Sequence, residues 1–410
     1  MKSNYKPIGE HIRLVDKRNV GLKVTTLLGL SISKEFIPSV ANIIGSDMEN
    51  YKIIRKNQFA CSLMQVRRDK KIPVALLRDF EESIISQAYP VFEVIDEDVL
   101  LPEYLMMWFS RSEFDRESCF YAVGGVRGSL EWEDFCNMQL PIPSLEKQKE
   151  IVAEYNIIVN RIKLNEQLNQ KLEETAQAIY KQWFVDFEFP DENGKPYKSS
   201  GGEMEYCEEL VKEIPVGWDV KPMNNICSIT SSKRIYHREY SPSGVPFYRG
   251  KEVILKKKGK PLQDILYITQ SRYDEIVEKF SSPSFGDILL TAVGTLGISY
   301  FVQEEKFYFK DGNVIWFKDF MDNSFRYIVY DFMQSELFRD LIDEITIGST
   351  QNAITIETIG QKSHVVPPPS IANRYAEISS KILQIINLKK NEVIKLDLLH
   401  NLFLSKCAKV

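Results

Sequence analysis

Two long segments without proline or glycine, residues 144–186 and 370–408, most constrain how this chain folds. A segment of about 40 residues is about 60 Å long as an α-helix, which exceeds the width of a small domain. Seam residues recur every seven positions, at Tyr155, Ile162, Asn169, Ala176 and Trp183 and again at Tyr375, Ile382, Lys389, Leu396 and Phe403. A seven-residue repeat is typical of a coiled coil. We therefore predict two spacer helices; the alternative is that each helix packs one face on its own globule.

Polar residues interrupt both seams near the middle, with Asn165 and Asn169 in the first helix and Lys389 and Glu392 in the second. Antiparallel pairing would place Asn169 near Lys389 and Asn165 near Glu392. Each polar side chain would then meet a polar partner, whereas an offset would bury charge against isoleucine. Parallel pairing matches the same layers, but the connectivity and the separation of two globules favour the antiparallel arrangement.

An internal repeat sets the architecture. A glycine-led polar turn at residues 124–129 and a proline-marked strand exit at 140–145 precede the first helix, and residues 348–352 and 366–371 precede the second in the same order. The fold class predicted is α+β, with two mixed α/β globules, two long helices paired as an antiparallel coiled coil, and a pseudo-twofold repeat. The predicted divisions are a first globule at 1–143, a first helix at 144–186, an acidic surface linker at 187–217, a second globule at 218–369 and a second helix at 370–410.

The charge of the chain is unevenly distributed. The formal net charge is -5, which alone argues weakly against a nucleic-acid binder. Residues 186–213 hold nine acidic residues and three lysines, whereas residues 52–71 hold seven basic residues and one acid. Residues 221–261 hold ten basic residues and two acids. Solvated surface charge explains either basic segment alone, but their corresponding places in the two halves favour binding of phosphate.

The motifs of several protein classes are missing from the sequence. We find no apolar run of about 18 residues and no signal core, and we expect a cytoplasmic protein. The six cysteines form no CxxC pair and the four histidines are dispersed, so we expect no metal site. Neither a phosphate loop nor an amino-methyltransferase motif occurs; residues 294–297 lack the third glycine of a dinucleotide loop, and we interpret residues 190–195 as a linker turn. The chain is predicted to be a binder without catalytic residues or a cofactor of its own.

Several segments resemble the specificity (S) subunits of type I restriction-modification systems. The similar segments are residues 139–151, 193–204 and 213–218, and, in the second globule, residues 245–251, 285–297 and 348–351. The first globule departs from the pattern in two places. Residues 57–59 (Asn-Gln-Phe) stand where the second globule has residues 286–288 (Gly-Asp-Ile), and the turn at 124–129 differs in sequence from the corresponding turn at 348–351. The second helix also lacks a glutamine where the first has Gln148.

The resemblance implies two target-recognition domains, each reading one half of a split DNA sequence, with the helices as the ruler that sets the gap. It also implies two modification subunits with adenine-methyltransferase activity that bind S-adenosylmethionine. Restriction subunits that use ATP and Mg²⁺ for translocation and cleavage would complete the host-defence complex. Two alternatives stay open: a coiled-coil scaffold that binds only proteins, and an enzyme that modifies nucleic acid by itself.

Candidate DNA-reading residues follow from this resemblance and from side-chain chemistry. Arginine and glutamine form bidentate hydrogen bonds to base edges, whereas lysine mainly contacts phosphate. The candidates are Gln65, Arg67, Arg68, Lys70, Lys71, Arg127 and Ser129 in the first globule, and Lys233, Arg234, His237, Arg238, Tyr248, Arg249, Lys251, Thr295, Ser349, Gln351 and Asn352 in the second. Lys256, Lys257 and Lys258 are predicted phosphate contacts, with solvated surface charge as the alternative.

Aromatic residues concentrate at the end of the first helix. They are Tyr180, Trp183, Phe184 and Phe187, which are more aromatic residues than one coiled-coil seam would bury. We expect them to be exposed for docking of a modification subunit. Packing of these rings on the neighbouring globule is the alternative.

Overall fold

The computed structural model describes residues 5–39, 47–346 and 353–406. The chain divides into two compact units, Met1–Ile162 with Leu396–Val410, and Lys163–Lys395. Both divisions fall inside long helices, because each helix packs one of its halves in each unit. The fold class predicted from the sequence, α+β with two globules and two long helices, is confirmed.

The first unit holds short strands and helices. Its strands are β1 (Tyr5–Pro7), β2 (Ile12–Val15), β3 (Leu28–Leu30), β4 (Phe36–Pro38), β5 (Lys52–Arg55), β6 (Phe59–Cys61), β7 (Val74–Leu76), β8 (Glu82–Ile85), β9 (Val91–Val94) and β10 (Gln139–Pro141). Its helices are α1 (Val66–Asp69), α2 (Pro102–Phe109), α3 (Ser112–Tyr121) and α4 (Trp132–Asn137), followed by the start of α5 (Leu145–Phe184). An antiparallel sheet in the order β2-β9-β6-β7 forms its centre, and Phe59 stacks on Phe92 in the core with ring centroids 5.0 Å apart.

Gln148 anchors α5 to the first globule. Its buried side-chain amide donates to the carbonyls of Val99 and Pro143 at 2.8 and 3.0 Å, and its Oε1 accepts from the amide of Leu101 at 2.9 Å. Buried backbone groups at the α2 entry and the β10 exit are thereby satisfied. Gln148, which the sequence analysis noted near the start of the first long helix, therefore has a structural role.

The second unit holds more elements. Its strands are β11 (Met204–Cys207), β12 (Lys212–Pro215), β13 (Asp219–Pro222), β14 (Ser228–Thr230), β15 (Tyr240–Ser241), β16 (Val245–Tyr248), β17 (Leu266–Ile268), β18 (Ile288–Thr291), β19 (Ser299–Phe301), β20 (Tyr308–Phe309), β21 (Val314–Lys318) and β22 (Ser363–Val366). Its helices are α6 (Met223–Ile226), α7 (Gly250–Lys257), α8 (Gln270–Phe280), α9 (Phe325–Phe332), α10 (Glu336–Thr346) and α11 (Ile356–Gly360), followed by α12 (Pro369–Lys406). Two four-stranded sheets, β14-β21-β18-β19 and β15-β17-β16-β20, build the second globule.

The same closure ends each globule. In the first, β1 pairs antiparallel with β10, joining Tyr5 to Pro141. In the second, β13 pairs antiparallel with β22, joining Asp219 to Val366. The first and last strands of each globule are thus paired directly before a long helix begins, which is a structural form of the repeat seen in the sequence.

The long helices contact each other in both units, and their contacts in the second unit run in opposite directions. In the first unit, Tyr155 of α5 lies 6.5 Å from Phe403 of α12, ring centroid to centroid. In the second unit, Trp183 lies 5.5 Å from Tyr375, and Lys390 donates to Glu173 at 2.9 Å. The direction agrees with the antiparallel arrangement expected from the seams.

The polar layer differs in detail from the prediction. Asn165 and Asn169 are buried, and within the described residues Asn165 Nδ2 and Asn169 Oδ1 have no hydrogen-bond partner. Lys389 instead donates to Glu392 of its own helix at 2.8 Å. The expected full matching of polar side chains across the seam is therefore incomplete at these two amide atoms.

The segment expected as a surface linker, residues 187–217, is partly core. Phe187, Phe189 and Ile214 are buried, and Phe189 stacks on Trp218 at 5.1 Å. Strands β11 and β12 form a hairpin within the segment. The sequence analysis missed this packing because the segment is acidic. Its aromatic residues, which lie between turn formers, also show neither a helical nor a strand period.

Candidate nucleic-acid interface

The two segments that hold the candidates of the first globule are hydrogen-bonded to each other. The amide of Val66 in α1 donates to the carbonyl of Gly128 at 2.9 Å, and Arg67 Nη1 donates to the carbonyl of Gly124 at 3.0 Å. Two segments about 60 residues apart in sequence are thereby joined. We name this the first basic surface, and it comprises Gln65, Arg67, Arg68, Lys70, Lys71, Arg127 and Ser129.

Backbone geometry shapes the first basic surface. Gln65 and Lys70, on either side of the single turn of α1, have left-handed φ values of 64° and 52°. Gly128 has φ +39°, and a Cβ there would lie 2.7 Å from Cδ of Arg67. Glycine is needed at this position because both the conformation and the close approach of Arg67 exclude a side chain.

The cations of this surface differ in availability. Arg67, Lys70, Lys71 and Arg127 are exposed to solvent. Arg68 is also exposed, but its guanidinium donates to Asp69 at 2.6 and 3.0 Å, and this hydrogen bonding lowers the pKa of the Asp69 carboxyl. The surface therefore presents four exposed cations that are not paired with Asp69.

Four candidates of the second globule share one loop after β14. Lys233, Arg234, His237 and Arg238 are exposed, and we name them the second basic surface. The hydroxyl of Tyr308 accepts from the amide of Lys233 at 2.8 Å and fixes the start of the loop. The Lys233 ammonium lies 4.2 Å from the centre of the Phe280 ring, a cation–π distance.

Arg234 has a carboxylate partner that the sequence analysis missed. Its Nε donates to Asp311 at 2.8 Å, and Asp311 lies in the turn between β20 and β21. This bond raises the pKa of the Arg234 guanidinium. The pair orients the guanidinium but occupies one of its donor edges.

Tyr248 and Arg249 make contacts inside the second globule. Tyr248 is buried, stacks on Phe307 with ring centroids 4.4 Å apart, and donates its hydroxyl to Glu305 at 3.3 Å. Arg249 Nη2 donates to Glu252 at 2.6 Å, and Glu252 is fully buried. Burial alone would raise the pKa of the Glu252 carboxyl, but the hydrogen bonds from Arg249 hold it below its ordinary value. Tyr248 is committed to these interior contacts, whereas Arg249 keeps 36% of its side chain exposed. Direct base reading by these two residues stays a prediction.

The lysine run at the end of α7 is also mainly internal. Lys256 pairs with Glu305 at 2.5 Å, and Lys257 donates to the Tyr330 hydroxyl at 3.0 Å. Burial lowers the pKa of the Lys257 ammonium. Of the three lysines predicted to contact phosphate, Lys258 is the exposed one.

The remaining candidates lie apart from the second basic surface in sequence. Lys251 is exposed in the first turn of α7, and Thr295 is exposed in the turn between β18 and β19. Ser349, Gln351 and Asn352 lie outside the described residues.

The aromatic residues at the end of α5 are core residues. Tyr180, Trp183, Phe184 and Phe187 are all buried, and Phe184 lies 4.7 Å from Tyr375 and 5.9 Å from Trp218, ring to ring. The prediction that they are exposed for docking is wrong. Packing on the neighbouring globule, the alternative reading, is what the structure contains.

In the part of the chain that the structure describes, no three histidine, cysteine, aspartate or glutamate side chains lie together as a bound metal ion requires. Within the same residues, no helix has the length and apolar character needed to cross a membrane.

Comparison with known proteins adds independent evidence. Residues 43–174, which include the first basic surface, match the family model described as "Type I restriction modification DNA specificity domain". The chain is similar to the specificity subunits of type I restriction-modification systems. It is 26% identical over 308 residues to the type I restriction enzyme MjaIX specificity subunit of Methanocaldococcus jannaschii, covering 73% of this chain and 67% of that protein. It is 30% identical over 112 residues to the HindI specificity subunit of Haemophilus influenzae, covering 27% of this chain and 24% of that protein.

A solved specificity subunit shares the fold. The crystal structure of the type I restriction-modification S subunit from M. genitalium aligns with a TM-score of 0.62 over 98% of this chain and 95% of that chain. The sequences are 14% identical. The shared features are therefore the globules and long helices of the fold.

Proposed function

We propose that this protein is the DNA sequence-specificity subunit of a type I restriction-modification complex, in which each globule reads one half of a bipartite target. The observation that carries the proposal is the first basic surface. Segments around Arg67 and Arg127, remote in sequence, are hydrogen-bonded into one exposed cationic surface inside the region that matches the DNA specificity family. The second basic surface is its counterpart in the other globule.

The side chains divide by the DNA groups they suit. Arg67, Arg127 and Arg238 carry exposed guanidinium groups, whose fork matches the O6 and N7 acceptors of guanine in the major groove. Lys70 and Lys71 supply point charges for phosphates, which raise affinity for any sequence. Sequence discrimination is therefore assigned to the arginines, and general affinity to the lysines.

The two long helices are proposed to set the gap between the half-sites and to dock two modification subunits. Support for docking comes from apolar side chains that the helices expose, which are Ile157, Leu164, Leu388 and Leu398. Exposed leucine and isoleucine on a helix are typical of a surface that another subunit covers. S-adenosylmethionine would bind to the modification subunits, and ATP and Mg²⁺ to restriction subunits, so this chain would be non-catalytic.

Binding of the full chain to DNA selected from a random-sequence pool tests the proposal. We expect enrichment of a split sequence, with affinity that falls steeply as salt rises. Arg127→Gln should relax selection in one half only, and Arg238→Gln in the other half only. Lys171→Gln is the matched control, because Lys171 is exposed on α5 outside both basic surfaces.

Two results would contradict the proposal. A pool without enrichment would favour the scaffold that binds only proteins. Equal loss in both halves from Arg127→Gln would show that the globules do not read separate half-sites.

A further inference from the structure

The first basic surface also carries strongly exposed apolar residues. Val126 and Phe120 have 87% and 78% of their surfaces exposed, the two largest values among the large hydrophobic residues that the structure describes. Val123, Met64 and Tyr121 are also exposed. Charge alone directed the sequence analysis to this surface, and these five residues were missed.

Hydrogen bonds hold the apolar residues beside the cations. The Cys119 thiol, next to Phe120, donates to the carbonyl of Val66 at 3.4 Å, so the end of α3 lies against α1. The amide of Leu130 donates to the carbonyl of Leu63 at 2.9 Å, which joins the segment after the glycine turn to the residue before Met64. The apolar residues and the first basic surface are therefore one continuous region of the fold.

Val126 stands at the tip of a slender turn. Residues 123 and 129 exchange backbone hydrogen bonds at 2.8 Å, so the chain between them forms a closed loop. Three of the five residues in the loop are glycines, and a Cβ on Gly125 would meet nothing within 4 Å. A tip with so few side chains is narrow enough to enter a DNA groove, whose widths are about 6 Å and about 12 Å.

We propose that Val126 and Phe120 contact bases directly and separate a base step in the half-site read by the first globule. DNA is the occupant that the charges favour, since four exposed cations, Arg67, Lys70, Lys71 and Arg127, lie within a few residues of Met64 or Val126 in sequence and complement phosphates. A protein partner with an apolar face would have to desolvate those cations. Proteins that place apolar side chains between bases pay for unstacking with the additional contacts that bent DNA permits. The inference rests on the proposed function, because it requires that the first globule binds DNA.

Fluorescence of 2-aminopurine tests this inference. The probe is a duplex selected by the full chain, with 2-aminopurine substituted singly through the half that Arg127→Gln affects. We expect fluorescence to rise at one step when the full chain binds, because an unstacked 2-aminopurine is less quenched. Val126→Ser and Phe120→Ser should abolish the rise and weaken binding roughly tenfold, as expected for loss of one base contact.

Two controls separate the possible outcomes. Val211→Ser changes a residue that is 74% exposed in the second unit, and it should leave both the fluorescence and the affinity unchanged. Lys71→Gln should reduce the salt dependence of binding while the rise persists at saturating protein, because a phosphate contact is lost and both Val126 and Phe120 are retained. Val126→Ser and Phe120→Ser should keep the melting temperature of the parent, since the Val126 and Phe120 side chains lie in solvent.

The results that overturn the inference differ from those that overturn the proposed function. Specific binding by the parent without a fluorescence rise at any position would refute base separation and leave DNA reading intact. Loss of assembly with a protein partner in Val126→Ser, with unchanged DNA binding, would make the region a protein-docking surface. A chain that selects no sequence would refute the proposed function, and the inference with it.

Discussion

The Tyr375 hydroxyl donates to the Asp331 carboxylate at 2.7 Å, and this bond joins α12 to α9 inside the second unit. Ser379, one helical turn further along α12, donates to the same oxygen at 2.6 Å. Asp331 is buried, and burial raises the pKa of its carboxyl to about 6 despite these hydrogen bonds. An acid at the centre of a helix–helix contact therefore links the stability of the second unit to pH.

The first prediction concerns this dependence on pH. The pKa of Asp331 is higher in the folded protein than its ordinary value of 3.8, so the folded state binds the proton more tightly than the unfolded state. The free energy of unfolding should consequently fall as pH rises from about 4 to about 6, by on the order of 3 kcal/mol from this group. Urea unfolding of Asp331→Asn and of the parent across this range should give a difference that changes with pH in this direction. A difference independent of pH would show that Asp331 titrates normally.

The second prediction concerns Arg249. Because Arg249 neutralises the fully buried Glu252, Arg249→Ala should lower the free energy of unfolding by roughly 2–3 kcal/mol, less than a fully buried pair because Arg249 is partly exposed. The double variant Arg249→Ala, Glu252→Ala should recover part of this loss, since it removes the stranded carboxylate. Thermal unfolding measures both effects. If Arg249→Ala keeps the parent's stability and loses discrimination in one half-site, Arg249 reads DNA and our structural assignment is incorrect.

The helices show what the sequence alone can reveal. A long segment without proline or glycine and with a seven-residue period admits few structures, and α5 and α12 span Leu145–Phe184 and Pro369–Lys406 against the expected 144–186 and 370–408. The period depends on neighbouring residues in one helix, so no information about distant contacts is required. The same holds for the two basic segments, whose charges are visible directly.

Contacts over long sequence separations explain what the sequence analysis missed. Nothing local marks Phe184 as a core residue, since its burial depends on Tyr375 and Trp218, which lie far along the chain. The joining of Arg67 to Gly124 is equally non-local. The pairing of Arg249 with Glu252 is an exception, because it is local in sequence. A glutamate three residues after Arg249 is a recognisable signal of a helix start and of an ion pair.

The third prediction uses two glycines of one turn. Gly128→Ala would put a methyl group within 3 Å of Arg67 at a left-handed φ, so it should displace Arg67 and weaken binding to one half-site. Gly125→Ala is the matched control, because its Cβ has open space and its side chain faces no neighbour within 4 Å. DNA affinity measured at matched salt should fall for Gly128→Ala and remain near the parent value for Gly125→Ala. Equal behaviour of the two variants would mean that the position of Arg67 does not matter for binding.

The fourth prediction tests the helices as a ruler. Insertion of seven residues beside Asn169 in α5 and seven beside Lys390 in α12 preserves the seam on both helices, because seven residues restore its phase. Each insertion adds about 10 Å of helix, which corresponds to about three base pairs of DNA. Selection from a random pool should therefore return both original half-sites with a gap longer by about three base pairs. Insertion in α5 alone is the control, and it should disturb the pairing of Glu173 with Lys390 and lower the melting temperature without producing a single new gap. If the doubly extended protein folds with the parent's stability and retains the original gap, the helices do not set the spacing.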